Sequence, residues 1–196
     1  MDDQARRDEL FLRRSFDAGR RAMANGNHPF GAVLVDRDDF YLRRTFDASR
    51  RAVANGNHPF GAVLVDSGGQ LLLEAENGFM PSHDGTAHAE RLLCTAAATS
   101  LPAEVLAGST LYSSAEPCAM CAGAIYWVGI GRVVFGLGES RLKAITGAHP
   151  ENPTLDLPCR TVFAAGQKQI EVIGPLLEDE AAALHEGFWA EQKPQT

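Results

Sequence analysis

The sequence has 196 residues, of which 45% are hydrophobic and 22% are charged, and its formal net charge is −7. This length is enough for one domain with a proper core, and the composition is that of an ordinary soluble globular protein. The negative charge argues against a nucleic-acid partner, which usually requires a basic face. The longest apolar run, residues 122–130, is too short to cross a membrane.

The cysteines and the beginning of the chain indicate the cellular compartment. The sequence contains four Cys, two of them in a ligand motif, which fits a reducing compartment better than a disulfide framework. The first residues, Met1-Asp2-Asp3, are too charged for a signal peptide. We therefore expect a cytoplasmic protein.

The first third of the chain contains an internal repeat, because residues 7–36 and 37–66 are identical at 24 of 30 positions. Each copy predicts an amphipathic helix, a turn at Ala-Asn-Gly-Asn and a buried strand, which is residues 31–35 in the first copy. Two copies are too few for a solenoid, and either a recent tandem duplication or an artificial insertion produces such a pattern. The second copy leads directly into the following chain. We therefore predict a domain over residues 37–196, preceded by an N-terminal tail, residues 1–36, that carries the duplicate.

Strands and helices alternate after the repeat. Strands are expected at residues 70–76, 110–113, 133–136, 161–164 and 170–173, helices near Thr86, near Pro117 and over residues 177–192, and a long loop at residues 140–158. This alternation predicts an α/β fold, a three-layer sandwich with a mixed sheet.

Two short motifs carry metal-binding residue types, His88-Ala89-Glu90 and Pro117-Cys118-Ala119-Met120-Cys121. One His and two Cys suit zinc, and a catalytic zinc has three protein ligands and one position open for water. Cys118 and Cys121 face the same way on a helix. We expect Pro117 to be the first residue of the helix that carries Cys118, and Thr86 to be the N-cap of the helix that carries His88. The positive end of the Cys118 helix would favour the thiolate form of its two cysteines. We predict one Zn²⁺ per chain, bound by His88, Cys118 and Cys121.

The same residues are also compatible with roles outside catalysis. A structural zinc site would be closed by a fourth protein ligand, for which Cys94 and Cys159 are the available thiols. A carboxylate such as Glu90 is often a solvated group that stabilises a helix start. The complete motif, with Glu90 two positions after His88, favours catalysis.

His-x-Glu followed by Pro-Cys-x-x-Cys is the signature of the zinc-dependent cytidine-deaminase-like superfamily. Further segments resemble its purine-deaminase branch, which holds guanine, guanosine and tRNA adenosine deaminases, and these segments are residues 83–90, 113–118, 123–127 and 131–136. The resemblance is close over residues 37–136. It implies a mixed five-stranded sheet flanked by helices, and a homodimer that packs the helices near the zinc site.

The resemblance also implies the reaction, hydrolytic deamination. Zinc lowers the pKa of its bound water from 15.7 towards roughly 7, which provides a nucleophile at neutral pH. Glu90 would take the proton of the water, pass it to a ring nitrogen and later protonate the departing amine. Ammonia leaves and a carbonyl remains.

Substrate contacts follow from the same resemblance. Asn77 would contact the base or ribose, although a loop Asn commonly serves a turn, and Ala89 would offer its backbone N–H to the ring. Phe60 and Trp127 match aromatic residues that line the base pocket, with core packing as the alternative. His149 falls where guanine deaminases carry a second acidic proton shuttle, in a Gly-Phe-Asp-Asp segment that here is Gly-Ala-His-Pro. This departure weakens the case for guanine itself.

The end of the chain bears on the substrate. The tRNA adenosine deaminases usually end in a basic helix, whereas residues 177–191 are acidic and would repel phosphates. The aromatic pair Phe188-Trp189 could close over the pocket, as an aromatic C-terminal segment does in guanine deaminases. We therefore expect a free nucleobase or nucleoside, purine-leaning, as the substrate. A tRNA adenosine deaminase is the first alternative, and a non-catalytic zinc-binding module, against which Glu90 argues, is the second.

Overall fold

The computed structural model describes residues 3–32, 36–147 and 149–191. The chain forms two compact units, Met1–Phe40 and Tyr41–Thr196. The strand expected in the first copy includes residues 33–35, which lie outside the described residues. None of the helices in the described ranges is long and apolar enough to cross a membrane.

The second unit contains a five-stranded sheet in the order β2-β1-β3-β4-β5. Its strands are Gly61–Val65 (β1), Leu71–Glu76 (β2), Thr110–Ala115 (β3), Arg132–Leu137 (β4) and Glu171–Ile173 (β5). β1 pairs antiparallel with β2 and β3, whereas β3, β4 and β5 run parallel. The predicted mixed sheet of five strands is therefore confirmed.

Helices precede, connect and follow the strands. The described helices are Asp3–Ala24 (α1), Arg37–Ala54 (α2), Ala89–Ser100 (α3), Ala103–Ala107 (α4), Ala119–Val128 (α5), Glu139–Thr146 (α6), Cys159–Ala164 (α7), Glu178–Ala182 (α8) and Phe188–Glu191 (α9). α1 belongs to the first unit, and the boundary between the units falls inside α2.

The sheet is covered on both faces. Every residue of β1 and β3 is buried, as expected for strands in the middle layer of a sandwich. On one face, Leu93 of α3 and Ile125 of α5 belong to the apolar cluster that includes β1 and β4. On the other face, a Cβ on Gly136 of β4 would meet Phe46 of α2 and Ala181 of α8. The predicted three-layer architecture is therefore present.

Three local predictions were wrong. The expected strand at residues 161–164 is helix α7, whose buried Cys159 and Phe163 lie four positions apart on one helical face. The expected loop at residues 140–158 begins with helix α6. The expected helix at residues 177–192 is divided into α8 and α9 by a turn at residues 183–187, in which Gly187 has a positive φ of 79°.

Candidate metal centre and active site

The three predicted metal ligands meet in space. His88 Nδ1 lies 3.6 Å from the Sγ atoms of both Cys118 and Cys121. The three ligand atoms all lie within 4.8 Å of one another, a grouping that a single metal ion can bridge. One imidazole and two thiols are a donor set that suits zinc and leaves a fourth position open. Cys94 and Cys159 are buried thiols outside this grouping, so neither provides the fourth ligand of a closed structural site.

Two helix N-termini converge on the cluster of His88, Cys118 and Cys121, which we call the cradle. His88 is the N-cap of α3 and Cys118 is the N-cap of α5, so each helix begins one residue after a ligand. The prediction that Thr86 caps α3 was wrong, because the Thr86 hydroxyl donates to Asp84 Oδ1 at 2.6 Å. The prediction that Pro117 is the first helical residue was also wrong, since α5 begins two residues later. Both positive helix ends therefore face the metal ligands.

The electrostatics of the cradle favour a thiolate. A hydrogen bond from Cys121 lowers the pKa of Cys118 to about 4, and the hydrogen bond with His88 acts in the same direction. A thiolate is the form of Cys that binds a metal. Cys118 therefore offers zinc a charged ligand at neutral pH.

The carboxylate of Glu90 lies beside the cradle, and its two oxygens face different side chains. Its side chain is 5% exposed, its Oε1 accepts a 2.8 Å hydrogen bond from Ser113 Oγ, and its Oε2 lies 3.6 Å from Cys121 Sγ. Burial raises the pKa of Glu90, which makes its neutral form accessible. A zinc ion held here would supply an activated water as the nucleophile. Glu90, with a raised pKa and one oxygen towards the metal ligands, is placed to hold or move a proton there.

A cavity of about 460 Å³ opens over His88, Glu90 and Cys118. Its volume is in the range of small-molecule sites. Among the described residues of its wall, four are Glu and none is Lys or Arg, the four being Glu90, Glu116, Glu139 and Glu151. Burial, followed by the charges of Cys118 and Glu116, raises the pKa of Glu139 to about 7. The cavity therefore presents hydrogen-bond acceptors and acidic groups to a ligand.

Glu116 also has a structural role. Its Oε2 accepts the backbone N–H of Glu139 and its Oε1 accepts that of Cys159, each at 3.1 Å. These N–H groups belong to the first residues of α6 and α7, where a carboxylate is stabilising. Glu116 thus ties the loop that carries the metal ligands to two neighbouring helices.

The predicted substrate-binding residues lie in different environments from one another. Phe60 lies in the wall of the cavity, and Ala89 is fully buried between His88 and Glu90 as the first residue of α3. Asn77 is 4% exposed and its Oδ1 accepts the backbone N–H of Phe79 at 3.0 Å, which forms a local turn.

Trp127 and His149 lie outside the described wall of the cavity. Trp127 is 81% exposed, because Cys121, Ala122 and Ile125 occupy the buried face of α5 and Trp127 falls on the opposite face. The ring of His149 packs 5.2 Å from that of Trp189. The structure does not bring Trp127 or His149 to the cavity of this chain.

The sequence interpretation missed a pair that the fold brings together. The sequence His58-Pro59 favours a surface turn, with the mouth of the site as the alternative. In the structure, His58 is 7% exposed and its Nε2 lies 3.1 Å from Glu151 Oε2, although 93 positions separate the two. The His58 ring stacks on Phe79 at 4.7 Å and contacts Trp189 at 5.3 Å. Burial lowers the pKa of His58 in spite of Glu151. No sequence signal joins His58 to Glu151, because the two positions are far apart in the chain.

Comparison with known proteins identifies the family. Residues 36–137 match the model of the cytidine and deoxycytidylate deaminase zinc-binding region. The chain is 40% identical over 184 residues to a probable cytosine deaminase of Schizosaccharomyces pombe, covering 93% of each chain. It is 30% identical over 184 residues to the tRNA-specific adenosine deaminase of Bacillus subtilis, covering 94% of this chain and 89% of that protein.

A solved structure has the same fold. The guanine deaminase from Nitrosomonas europaea superposes with a TM-score of 0.63 at 26% identity, over 81% of this chain and 87% of that one. The family match includes the region of all three metal ligands and Glu90, and the relatives are named as deaminases. The His-Cys-Cys cradle and the matches together show that this chain belongs to the cytidine and deoxycytidylate deaminase family and is a zinc-dependent deaminase.

Proposed function

We propose that the chain hydrolytically deaminates a free nucleobase, purine-leaning, and releases ammonia. The observation that carries this proposal is the acidic wall of the cavity, in which the described residues include four Glu and neither Lys nor Arg. Such a wall offers acceptors to the N–H groups of a base and repels phosphate. Nucleotides and RNA are poor ligands for it, because phosphate recognition usually requires cationic side chains.

The relatives support a small base and also supply an alternative. Cytosine and guanine deaminases are among the similar proteins, so both a pyrimidine and a purine base are chemically reasonable. The likeness to the tRNA-specific adenosine deaminase of Bacillus subtilis favours tRNA as the second candidate. The acidic first turn of α8, Glu178 to Glu180, argues against that candidate.

The site residues are proposed to have the following roles. His88, Cys118 and Cys121 bind one zinc ion, and Glu90 is the proton carrier. Phe60 lines the base pocket, and Ala89 and Asn77 contact the substrate through polar groups. Glu151, which lies in the wall of the cavity, is proposed to take the second proton-shuttle role that was expected of His149.

The test is a screen for ammonia release by the zinc-loaded protein. Guanine, adenine and cytosine, their nucleosides, and a tRNA substrate are compared at equal concentration. We expect a free base, and among the bases a purine, to give the highest kcat/KM. Activity confined to tRNA, with binding that weakens steeply as salt rises, would establish the alternative.

A matched pair of variants tests Glu151. Glu151→Gln removes the charge from the cavity wall, and Glu104→Gln makes the same change at an exposed position of α4. We expect Glu151→Gln to lower kcat/KM by roughly 10- to 100-fold, as loss of a charged hydrogen-bond partner does. Equal kcat/KM values for the two variants would remove Glu151 from the site.

We infer that the protein is a homodimer. Trp127 is 81% exposed on α5, the helix that carries Cys121, next to Tyr126, and such aromatic residues are enriched at interfaces. Light scattering at micromolar concentration should give twice the mass of the chain, and Trp127→Arg should lower it. A monomeric parent protein would contradict this assignment.

We also infer a cytoplasmic location and a catalytic domain that excludes the first copy. All four Cys are free, and thiolate ligands persist in a reducing compartment. Residues 37–196 contain every residue of the proposed site, so residues 1–36 are proposed to be a tail. Cell fractionation tests the location, and the deletions described in the Discussion test the domain boundary.

A further inference from the structure

The carboxylate of Glu90 accepts a hydrogen bond from a buried serine. Ser113 lies on β3, is 1% exposed, and its Oγ donates a 2.8 Å hydrogen bond to Glu90 Oε1. The other carboxylate oxygen, Oε2, lies 3.6 Å from Cys121 Sγ and so faces the metal ligands. The two oxygens of Glu90 are therefore not equivalent.

The position of Ser113 is fixed by the sheet. Its backbone is in register with Ala62 of β1 on one side and with Phe135 of β4 on the other. The same strand ends at Ala115, just before the loop that carries Cys118. One rigid strand therefore holds both the partner of Glu90 and the start of the metal-ligand loop.

The side chain of Glu90 needs such a partner. The terminal torsion of a Glu side chain is broad and roughly two-fold, so an unrestrained carboxylate samples many orientations. A hydrogen bond to one oxygen selects an orientation and leaves the other oxygen for chemistry. We propose that Ser113 is a positioning residue that holds Glu90 so that Oε2 faces the metal centre and the substrate.

The chain offers a matched control. Ser114 is the next residue of β3, is also 1% exposed, and its Oγ accepts the backbone N–H of Gly61 at 3.1 Å instead of bonding to Glu90. Ser113→Ala and Ser114→Ala remove the same atom from adjacent buried positions. Both variants therefore lose a buried hydrogen bond, but Ser113→Ala alone frees the carboxylate.

The kinetic experiment compares kcat, KM and zinc content. We expect Ser113→Ala to retain zinc and KM and to lose roughly 10- to 100-fold in kcat, because the lost bond is to a charged group. Ser113→Thr, which keeps the hydroxyl, should restore kcat towards the parent value, and Ser114→Ala should keep it. Equal kcat values for Ser113→Ala and Ser114→Ala would overturn the proposal.

A second measurement does not depend on turnover. Urea unfolding of Ser113→Ala, Glu90→Ala and the double variant forms a cycle that reports the coupling of the two side chains, because each single change removes the hydrogen bond. The shifts in midpoint should be clearly non-additive, whereas a cycle of Ser114→Ala with Glu90→Ala should be additive. Additive shifts in the Ser113 cycle would overturn the proposal.

The kinetic arm rests on the proposed function, since it uses the base that the parent protein deaminates. If the parent protein releases no ammonia from any base, the proposed substrate class fails while the unfolding cycle still decides the role of Ser113. If the parent is active and both arms show no difference between Ser113 and Ser114, the positioning role fails and the substrate class stands.

Discussion

The two copies of the repeat have nearly the same sequence and opposite environments. In both copies the helix ends in the same turn, with Asn27 N–H donating to Ala22 O and Asn57 N–H donating to Ala52 O at 2.9 Å in each case. The side chains differ sharply in exposure. Phe16 is 53% exposed and the corresponding Phe46 is 1% exposed.

Other corresponding pairs show the same contrast. Leu12 is 54% exposed, whereas Leu42 is fully buried. Phe30 is 82% exposed, whereas Phe60 lines the cavity over the metal ligands. An almost identical sequence therefore encodes the same local helix and turn in both copies, but it does not determine which copy supplies the core.

Chain connectivity explains which copy is buried. The strand of the second copy, β1, continues through the turn closed by Asp66 and Gln70 directly into its antiparallel partner β2. Using the first copy instead would require looping out the 30 residues of the second copy, at an extra entropic cost of about 1–2 kcal/mol. This difference in loop-closure entropy therefore favours burial of the second copy.

The largest expected effect comes from comparing two single variants at corresponding positions of the two copies, Phe46→Ala and Phe16→Ala. Phe46→Ala removes a buried ring that packs over Gly136, so it should lower the free energy of unfolding by about 3–5 kcal/mol. Phe16→Ala makes the same change at an exposed position and should cost at most about 0.5 kcal/mol. Urea unfolding measures both, and equal losses would show that the first copy also supplies core.

A pair of deletions separates sequence from chain position. Deleting residues 7–36 or residues 37–66 leaves 166 residues in each case, 196 − 30, with one copy joined to residue 67. Both proteins should fold, bind zinc and turn over substrate. The second deletion should be less stable by about 1–2 kcal/mol, because Gly19 replaces Ser49 in the helix and Phe11 cannot replace the hydrogen bond of Tyr41 to Gly69 O.

Zinc content, ammonia release and urea unfolding of the two deletions test this account. If the protein without residues 7–36 is unfolded or inactive, the first copy is an integral part of the catalytic domain. If the protein without residues 37–66 does not fold, the six differences between the copies, and not chain position, decide which copy is buried.

The smallest expected effect concerns pH and the corresponding residues His58 and His28. Burial lowers the pKa of His58 below its ordinary value of 6.5, more than Glu151 raises it, and the nearby His88 and His149 act with burial. At His58, the unfolded state therefore binds more protons than the folded state below about pH 6.5, so the contribution of His58 to the free energy of unfolding falls as the pH decreases from there.

Matched variants test this pH dependence. His58→Gln should flatten the decrease in the free energy of unfolding below about pH 6.5. His28→Gln should follow the parent curve, because His28 is exposed in the first copy. Urea unfolding between pH 5 and pH 8 measures both curves. A parent curve that His58→Gln leaves unchanged would contradict the account.

The sequence predicted the metal centre well because its information is local. The spacing of Cys118 and Cys121 within one helical turn and the adjacency of His88 and Glu90 already restrict the geometry. The mixed sheet followed from apolar runs separated by turns. Helix α7 was missed because Val and Phe favour strands on average, and only tertiary packing of Cys159 and Phe163 reveals the helix.

The substrate side of the site could not be predicted in the same way. Glu151 meets His58 across 93 positions, and Ser113 meets Glu90 across 23, so neither contact has a sequence pattern. Trp127 shows the opposite case, since an aromatic residue near the ligands lies on the exposed face of α5. The roles of Asn77, Ala89 and Phe60 towards a base stay predictions.

The most direct test of the central claim is ammonia release by Glu90→Gln, measured with its zinc content. We expect parent and variant each to bind one zinc per chain through His88, Cys118 and Cys121. The kcat of the variant on the preferred base should fall by about 10²–10⁴-fold, because a buried proton carrier has been lost. A zinc-loaded Glu90→Gln protein that deaminates the base at the parent rate would contradict the account.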